Sequence, residues 1–458
     1  MSSAPTDQNY LDRRTFVVGV INGSLFNASA RFMDATVVLS PLAERLVGSE
    51  TLVGLLQMSS KIGWMWPTLF MPYILEGVGR RMPWYRGSAG VRMLAIWGAV
   101  LVLFSGITGH SPMTAFSLLA LAMFLSSTFG GVSWIPFMDV VAKGVPANKR
   151  GLLWGLRQGI AGVLGVGFAT LATYILSPDR GLPFPRAYAW LFLIAAVAQT
   201  MALGAFCMAR EPAVESKPRR MTFGMHMSRY PRIMSRDDAF RSFAVSRIGV
   251  GVALMGLEFL AICAQKNFGL TDTQTNAWLL PIALSGAIYP FLWGYLSDRF
   301  GSRTLLRATG ALVAVHAALP LIALTMARGY HVAPWLANLL LGGSVVVGYA
   351  AVSSNMIASS NFVLEIARPH QRDGYLGLYN SLTIPLAFAS LLAGVISDHV
   401  SYTALYGACL LASTVSIWLV YGRLPEPRPG LADEDRSERL GLLDQIRARM
   451  WPKPDRRA

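Results

Sequence analysis

The sequence predicts an all-α membrane protein: twelve transmembrane helices arranged as two pseudo-symmetric six-helix bundles. Three observations predict it. The first is composition. The 458 residues are 53% hydrophobic and only 14% charged, with mean hydropathy +0.44. A soluble chain carries roughly 25% charged residues. It needs polar groups to cover its surface, so lipid must replace water around much of this molecule. That excludes an ordinary soluble enzyme, a disordered chain and a disulfide-stapled secreted module. The second observation is a series of apolar runs, each near the roughly 20 residues that a spanning helix needs. The third is an internal repeat at an offset close to half the chain length.

The runs fall at 16–41, 51–75, 89–110, 113–141, 151–176, 187–209, 240–264, 275–296, 304–327, 333–361, 374–397 and 403–421. Spans 1, 4 and 10 are polar enough to weaken a plain hydropathy scan. The chain therefore divides into a short cytoplasmic segment (1–15), a first bundle (16–209), a basic cytoplasmic linker (210–239), a second bundle (240–421) and a cytoplasmic tail (422–458). The 43 Gly and 25 Pro suit membrane helices, which tolerate both. On span 5, Gly151, Gly155 and Gly159 form two G-x-x-x-G steps, with Gly162 close behind, which predict close approach of another backbone. Cys207, Cys263 and Cys409 all lie in apolar runs, without C-x-x-C spacing, so neither a disulfide framework nor a zinc site is expected. No cleavable signal peptide is expected, because the first apolar stretch is long and carries charge.

The net charge is +15, from 40 Lys and Arg against 25 Asp and Glu. Such a balance also suits nucleic acid. Here, however, 32 of the 40 basic residues fall on the side of the termini, Arg92 and Arg157 among them, and five on the other. Basic loops mark the cytoplasmic face, so both termini are expected in the cytoplasm, in the inner membrane of a bacterium, with no nucleic-acid partner.

Glu76-Gly-Val-Gly79-Arg80-Arg81 matches Asp298-Arg-Phe-Gly301-Ser-Arg303 at an offset of 222. Ser133 and Asp139 match Asn355 and Asn361, and Arg150 and Gly155 match Arg372 and Gly377, at the same offset. Spans 1 and 7 align at 224, which sets Asp34 opposite Glu258. Two parallel repeats of six helices, with a binding site at their interface, are a known transporter plan.

On these residues the chain resembles the major facilitator superfamily over about 15–422. The most specific element is Gly294-Tyr-Leu-Ser-Asp298-Arg299-Phe-Gly301-Ser-Arg303, an almost complete G-x-x-x-D-R-x-G-x-R loop between spans 8 and 9. The first-half copy is degenerate: Pro72 stands for the leading Gly, Glu76 for Asp and Gly77 for Arg. A carboxylate and an arginine at a helix end make pairs that form in one conformation and break in another. Gly79 and Gly301 would permit the sharp turn. The resemblance implies a latch that closes the cytoplasmic side, served by Gly294, Asp298, Arg299, Gly301 and Arg303, by Glu76 and Arg81, and by Asp139 as partner of Arg80 or Arg81.

A charge at mid-helix costs about 2.5–3.5 kcal/mol on insertion scales, so it usually faces a cavity or the bundle interior. Asn27, Arg31 and Asp34 share one face of an uninterrupted helix, and Gln57, Lys61 and Trp64 repeat that spacing on span 2. Burial disfavours the charged form of a carboxyl, so Asp34 and Glu258 are the candidate proton-coupling residues. A permanent pair of Asp34 with Arg31 or Lys61 is the competing reading, and Arg31 and Lys61 also suit an anionic solute. Tyr289, Asn355 and Asn380 complete the candidate cavity: an aromatic platform and two amides, which equally serve as helix anchors and glue.

No phosphate-binding G-x-x-x-x-G-K-[ST], H-E-x-x-H or G-x-S-x-G occurs. Neither an enzyme nor any cofactor or metal is expected. The expected function is secondary transport of a small organic solute by a monomer working by alternating access, coupled to protons and surrounded by lipid. The other function class on this scaffold is a non-transporting sensor, or an assembly factor that hands over a cofactor or pigment. Counterflow in liposomes separates the two.

Overall fold

The computed structural model describes residues 12–75, 78–177, 181–211, 224, 229–330, 332–367 and 372–427. Helices run α1 (Arg13–Ser29, continued by Ala30–Met33, Ala35–Leu39 and Ser40–Val47), α2 (Glu50–Ile74), α3 (Met82–Phe104), α4 (Pro112–Gly144), α5 (Ala147–Leu176) and α6 (Arg186–Cys207). The second half follows as α7 (Asp238–Ala253, Met255–Phe259 and Leu260–Phe268), α8 (Asp272–Asn276 and Leu279–Phe300), α9 (Ser302–Gly329), α10 (Pro334–Ile366), α11 (Arg372–Ser381 and Thr383–His399) and α12 (Tyr402–Gly422). Among the described residues there is no strand. The termini, most of the linker and the tail lie outside the described residues, as does Glu76.

Among the described residues, ten helices are long and apolar enough to cross a membrane, α3 to α12. The two that fall short are α1, as expected of span 1, and α2, where spans 4 and 10 were expected. α4 and α10 each run 33 residues, which leaves room for an apolar stretch beside the polar one. α1 carries Arg31, Asp34, Glu44 and Arg45, and α2 carries Glu50 and Lys61.

Side-chain caps set the helix starts. Asp12 accepts from the Arg14 amide, Ser49 from Leu52, Asp237 from Phe240 and Ser401 from Ala404. Each satisfies an amide with no intrahelical partner. α1 and α7 are both broken near mid-span. Asp34 stands outside helical geometry (φ −59°, ψ 131°), between a 3₁₀ turn and a π turn. In α7 the 3₁₀ segment Met255–Phe259 contains Glu258. The two carboxylates that the repeat aligns thus both sit where a helix is interrupted.

In the first half α1 packs on α5 and α6, and α4 on α2 and α3. In the second, α9 packs on α10 and α12, and α7 on α12. The halves meet along two seams, α2 with α11 and α5 with α8. Lipid is as apolar as these side chains, so close packing and polar ties hold the seams rather than hydrophobic burial. A Cβ on Gly54 would collide with the Ser390 carbonyl oxygen, and one on Gly394 with that of Glu50. On the second seam a Cβ on Gly162 would meet Ala287, whereas Gly151, Gly155 and Gly159 face open space. The close approach on α5 is therefore made by Gly162, and the G-x-x-x-G steps lie outside it.

Candidate functional site

Between the halves lies a cavity of about 270 Å³. Asn27 and Arg31 enter it from α1, Gln158 and Gly162 from α5, Ser285 and Pro290 from α8, and Tyr349 and Ser353 from α10. Asn27 donates to Gln158 at 2.7 Å. Gln158, Ser285 and Tyr349 are cavity residues that sequence reasoning missed. Ser285 and Tyr349 are lone polar groups in apolar runs, and Gln158 adjoins Arg157, so none shares a face pattern that marks a cavity.

Asp34 lies beside this cavity and is 6% exposed. One carboxylate oxygen accepts from the Thr36 and Val37 amides at 3.0 and 3.2 Å, capping the resumed helix. The other accepts from the Tyr349 hydroxyl of the opposite half at 2.8 Å, with Arg31 at 3.8 Å. Glu258 is held differently. Lys61 of α2 reaches across to it at 2.7 Å and also donates to Ser390 at 2.7 Å. The second oxygen of Glu258 is buried without a hydrogen-bond partner. Both carboxylates thus tie one half to the other, Asp34 through a hydroxyl and Glu258 through an ion pair.

The remaining candidates are dispersed. Gln57 turns away from the cavity and donates to Ala35 O and Ser40 Oγ at the α1 break. Trp64 packs on Trp134 and over Gly130 of α4. Tyr289 neighbours Trp293 on α8. Asn355 accepts from Ser359 and lines a small pocket with Arg247. Asn380 is exposed on α11.

The end of the molecule that holds Arg13 and Gly422 is called here the terminal end, and the opposite one the far end. At the terminal end Asp139 takes Lys143 at 2.6 Å and Arg81 at 3.4 Å. Glu211, absent from the sequence reading, joins them: it takes Lys143 at 2.9 Å and the Arg81 and Met82 amides at 2.8–2.9 Å. Burial alone would push its carboxyl up. The hydrogen bonds from Arg81, Lys143 and Met82 outweigh that and hold it below the usual carboxylate range. In the second copy Arg303 is buried, Arg299 donates to Tyr295 and Asp298 is exposed. Gly301 takes the left-handed φ of 84° that favours glycine, close to where the Gly294 end of α8 turns into α9. Gly79 is not among the described residues of positive φ, so the demand for glycine falls on Gly301 and not on Gly79.

At the far end a polar seam joins the halves. Lys266 of α7 binds Glu44 and Glu50 at 2.8 and 3.0 Å, and Arg45 binds Asp272. Asp398 accepts from Ser49 Oγ and the Thr51 amide. The partners stand more than 200 residues apart, so no local pattern announces them. Two arginines that the sequence counts with the terminal-side charges lie well inside helices: Arg92 in α3 and Arg157 in α5, both buried. Loop charges and helix charges look alike within a few residues of a span's edge.

No curated protein matches the chain. Among solved structures, nucleoside transporter NupG, as a point variant, is 11% identical, with a TM-score of 0.67 over 89% of this chain and 97% of that one. A D-xylose–proton symporter is 13% identical, with a TM-score of 0.63 over 91% and 98%. A bacterial homologue of the iron transporter ferroportin, inward-facing, is 16% identical, with a TM-score of 0.61 over 89% and 98%. These likenesses are in fold. At the level of sequence, residues 20–333 and 242–452 match one family model, and the chain belongs to the Major Facilitator Superfamily.

Proposed function

We propose that the chain is a proton-coupled secondary transporter of a small organic solute, with both termini in the cytoplasm, and that Asp34 and Glu258 carry the coupling. The observation that supports this most is the Lys61–Glu258 pair at 2.7 Å, which ties α2 of one half to α7 of the other at mid-span. Alternating access rocks one half on the other about a midplane site. A proton on Glu258 removes the charge that holds Lys61 and loosens this tie. Proton occupancy then biases which way the cavity opens, since a ligand shifts an equilibrium only through its different affinity for the two states. Asp34 contributes through Tyr349: a protonated carboxyl loses most of its pull on that hydroxyl.

The test uses proteoliposomes and a solute first identified by thermal shift. Unmodified protein is expected to concentrate that solute under an imposed pH gradient. Glu258→Gln and Asp34→Asn are expected to keep counterflow but lose accumulation. Accumulation that survives in both variants would sink the coupling role. No counterflow of any solute by the unmodified protein would sink transport itself.

A further inference from the structure

We propose that the transported solute is an organic anion, and that Arg157 and Arg247 hold its carboxylate or phosphate at equivalent places in the two halves. This deepens the carrier reading and rests on it. Of the other cations within the spans, Arg31 lies by Asp34 and Lys61 by Glu258, while Arg92 lies over the Phe26 ring with no counter-ion among the described residues. Arg157 and Arg247 have none among the described residues. Arg157 donates to the Gly19 carbonyl at 2.6 Å and the Asn22 side-chain oxygen at 3.2 Å, and Arg247 to Ser359 Oγ at 3.2 Å. These acceptors are neutral. The Nε of each arginine is buried without a partner. An uncompensated charge is among the costliest groups to bury, so its persistence asks for a counter-charge from outside the chain.

The repeat sharpens this. At the offset of spans 1 and 7, Arg247 stands opposite Gly23; at 222, Arg157 stands opposite Tyr379. In the first half the Arg157 guanidinium fills the space that a side chain on Gly23 would take. In the second half Arg247 lies over the Tyr379 ring, 4.3 Å from its centroid. Each half therefore sets one guanidinium at the same α1–α5 or α7–α11 junction, supplied by α5 in one case and α7 in the other. The helix that donates the charge has changed and the place of the charge has not. A packing role would ask for volume at that junction, not for a cation. Both guanidiniums stack on rings, Arg157 at 4.8 Å from Phe137 and 4.9 Å from Trp154. Stacking fixes the plane and leaves the edge for a two-pronged grip on an oxyanion. Both lie about 15 Å in from the terminal ends of their helices, between that end and the Asp34–Glu258 level.

The test is thermal shift on purified full-length protein. Succinate and glucose 6-phosphate are the anionic probes, glucose and putrescine the uncharged and cationic controls, and sodium chloride the control for ionic strength. At least one anion is expected to raise Tm beyond the salt control, by more as its concentration rises. Arg157→Gln and Arg247→Gln are each expected to weaken that anion roughly thirtyfold. Lysine at either site should restore part of the loss, since it keeps the charge without the fork; should a Gln variant not fold, the Lys variant carries the comparison. An anion shift that is full-sized in all four variants, or no shift by either anion, overturns the proposal. Counterflow of glucose or putrescine indifferent to both arginines would overturn it while leaving the carrier standing. Arginine-dependent anion binding without counterflow would uphold the site and overturn the carrier.

Discussion

One carboxylate does different work at each of the places where this chain buries one. Asp34 is fully engaged by two amides and a hydroxyl, whereas Glu258 keeps one oxygen without a partner. Glu211 is the most constrained, because it caps the start of α3 and holds Lys143 together. Its folded form sits below the usual carboxylate range, so the unfolded chain binds the proton more readily. The stability it lends is present above the ordinary carboxylate range and disappears as pH falls through its lowered folded value. Glu211→Gln is expected to cost about 1–3 kcal/mol, the price of leaving buried donors poorly paired. Melting followed from neutral pH into the acid range should show a lower plateau and a flatter acid limb in the variant. Identical acid limbs would mean that Glu211 is not the clamp.

Among the elements, the seams decide what can move. Gly54 meets a backbone oxygen that cannot swing aside, and it does so only while α2 and α11 are closed at the far end. Gly54→Ala is expected to cost that state about 1–3 kcal/mol, the usual penalty of overpacking, and so to populate the state open at the far end. Thr36, 1% exposed beneath the far-end seam, is a suitable reporter. Carried as Thr36→Cys with Cys207, Cys263 and Cys409 changed to Ser, it should react faster with an impermeant thiol reagent in the Gly54→Ala background. Gly98→Ala, with open space around the glycine, should leave the rate unchanged. Equal rates in all three proteins would show that the seam is not the barrier. These seams were only partly legible in the sequence. The spans and the repeat were, because apolar length and an offset survive any detail of packing. The alignment of Asn27, Arg31 and Asp34 on one face assumed a continuous helix, and the break at Asp34 removes that premise. Of the glycines marked on α5, only Gly162 makes the close approach and the G-x-x-x-G steps do not, since spacing shows where a backbone can approach but not which neighbour arrives.

Over the whole molecule, ion pairs join the halves at mid-span and at the far end. These pairs close the far end, where Lys266 is the cation with two carboxylate partners. It serves two carboxylates of the opposite half, one of which, Glu50, is 3% exposed. Removing the cation leaves Glu50 charged and buried, but only in the far-closed state; once the far end opens, water reaches both carboxylates. Breaking a fully buried pair costs about 3–5 kcal/mol. Lys266 is itself 40% exposed, which discounts this to about 2 kcal/mol, roughly thirtyfold in population. Lys266→Gln is therefore expected to speed labelling of Thr36→Cys, and Lys266→Arg to hold it near the original rate. Because Lys266 and Gly54 act on one equilibrium through different contacts, their effects on the logarithm of the labelling rate should add. A Lys266→Gln protein that labels no faster would place the closing force in the packed glycines alone and leave the far-end charges as solvated rim.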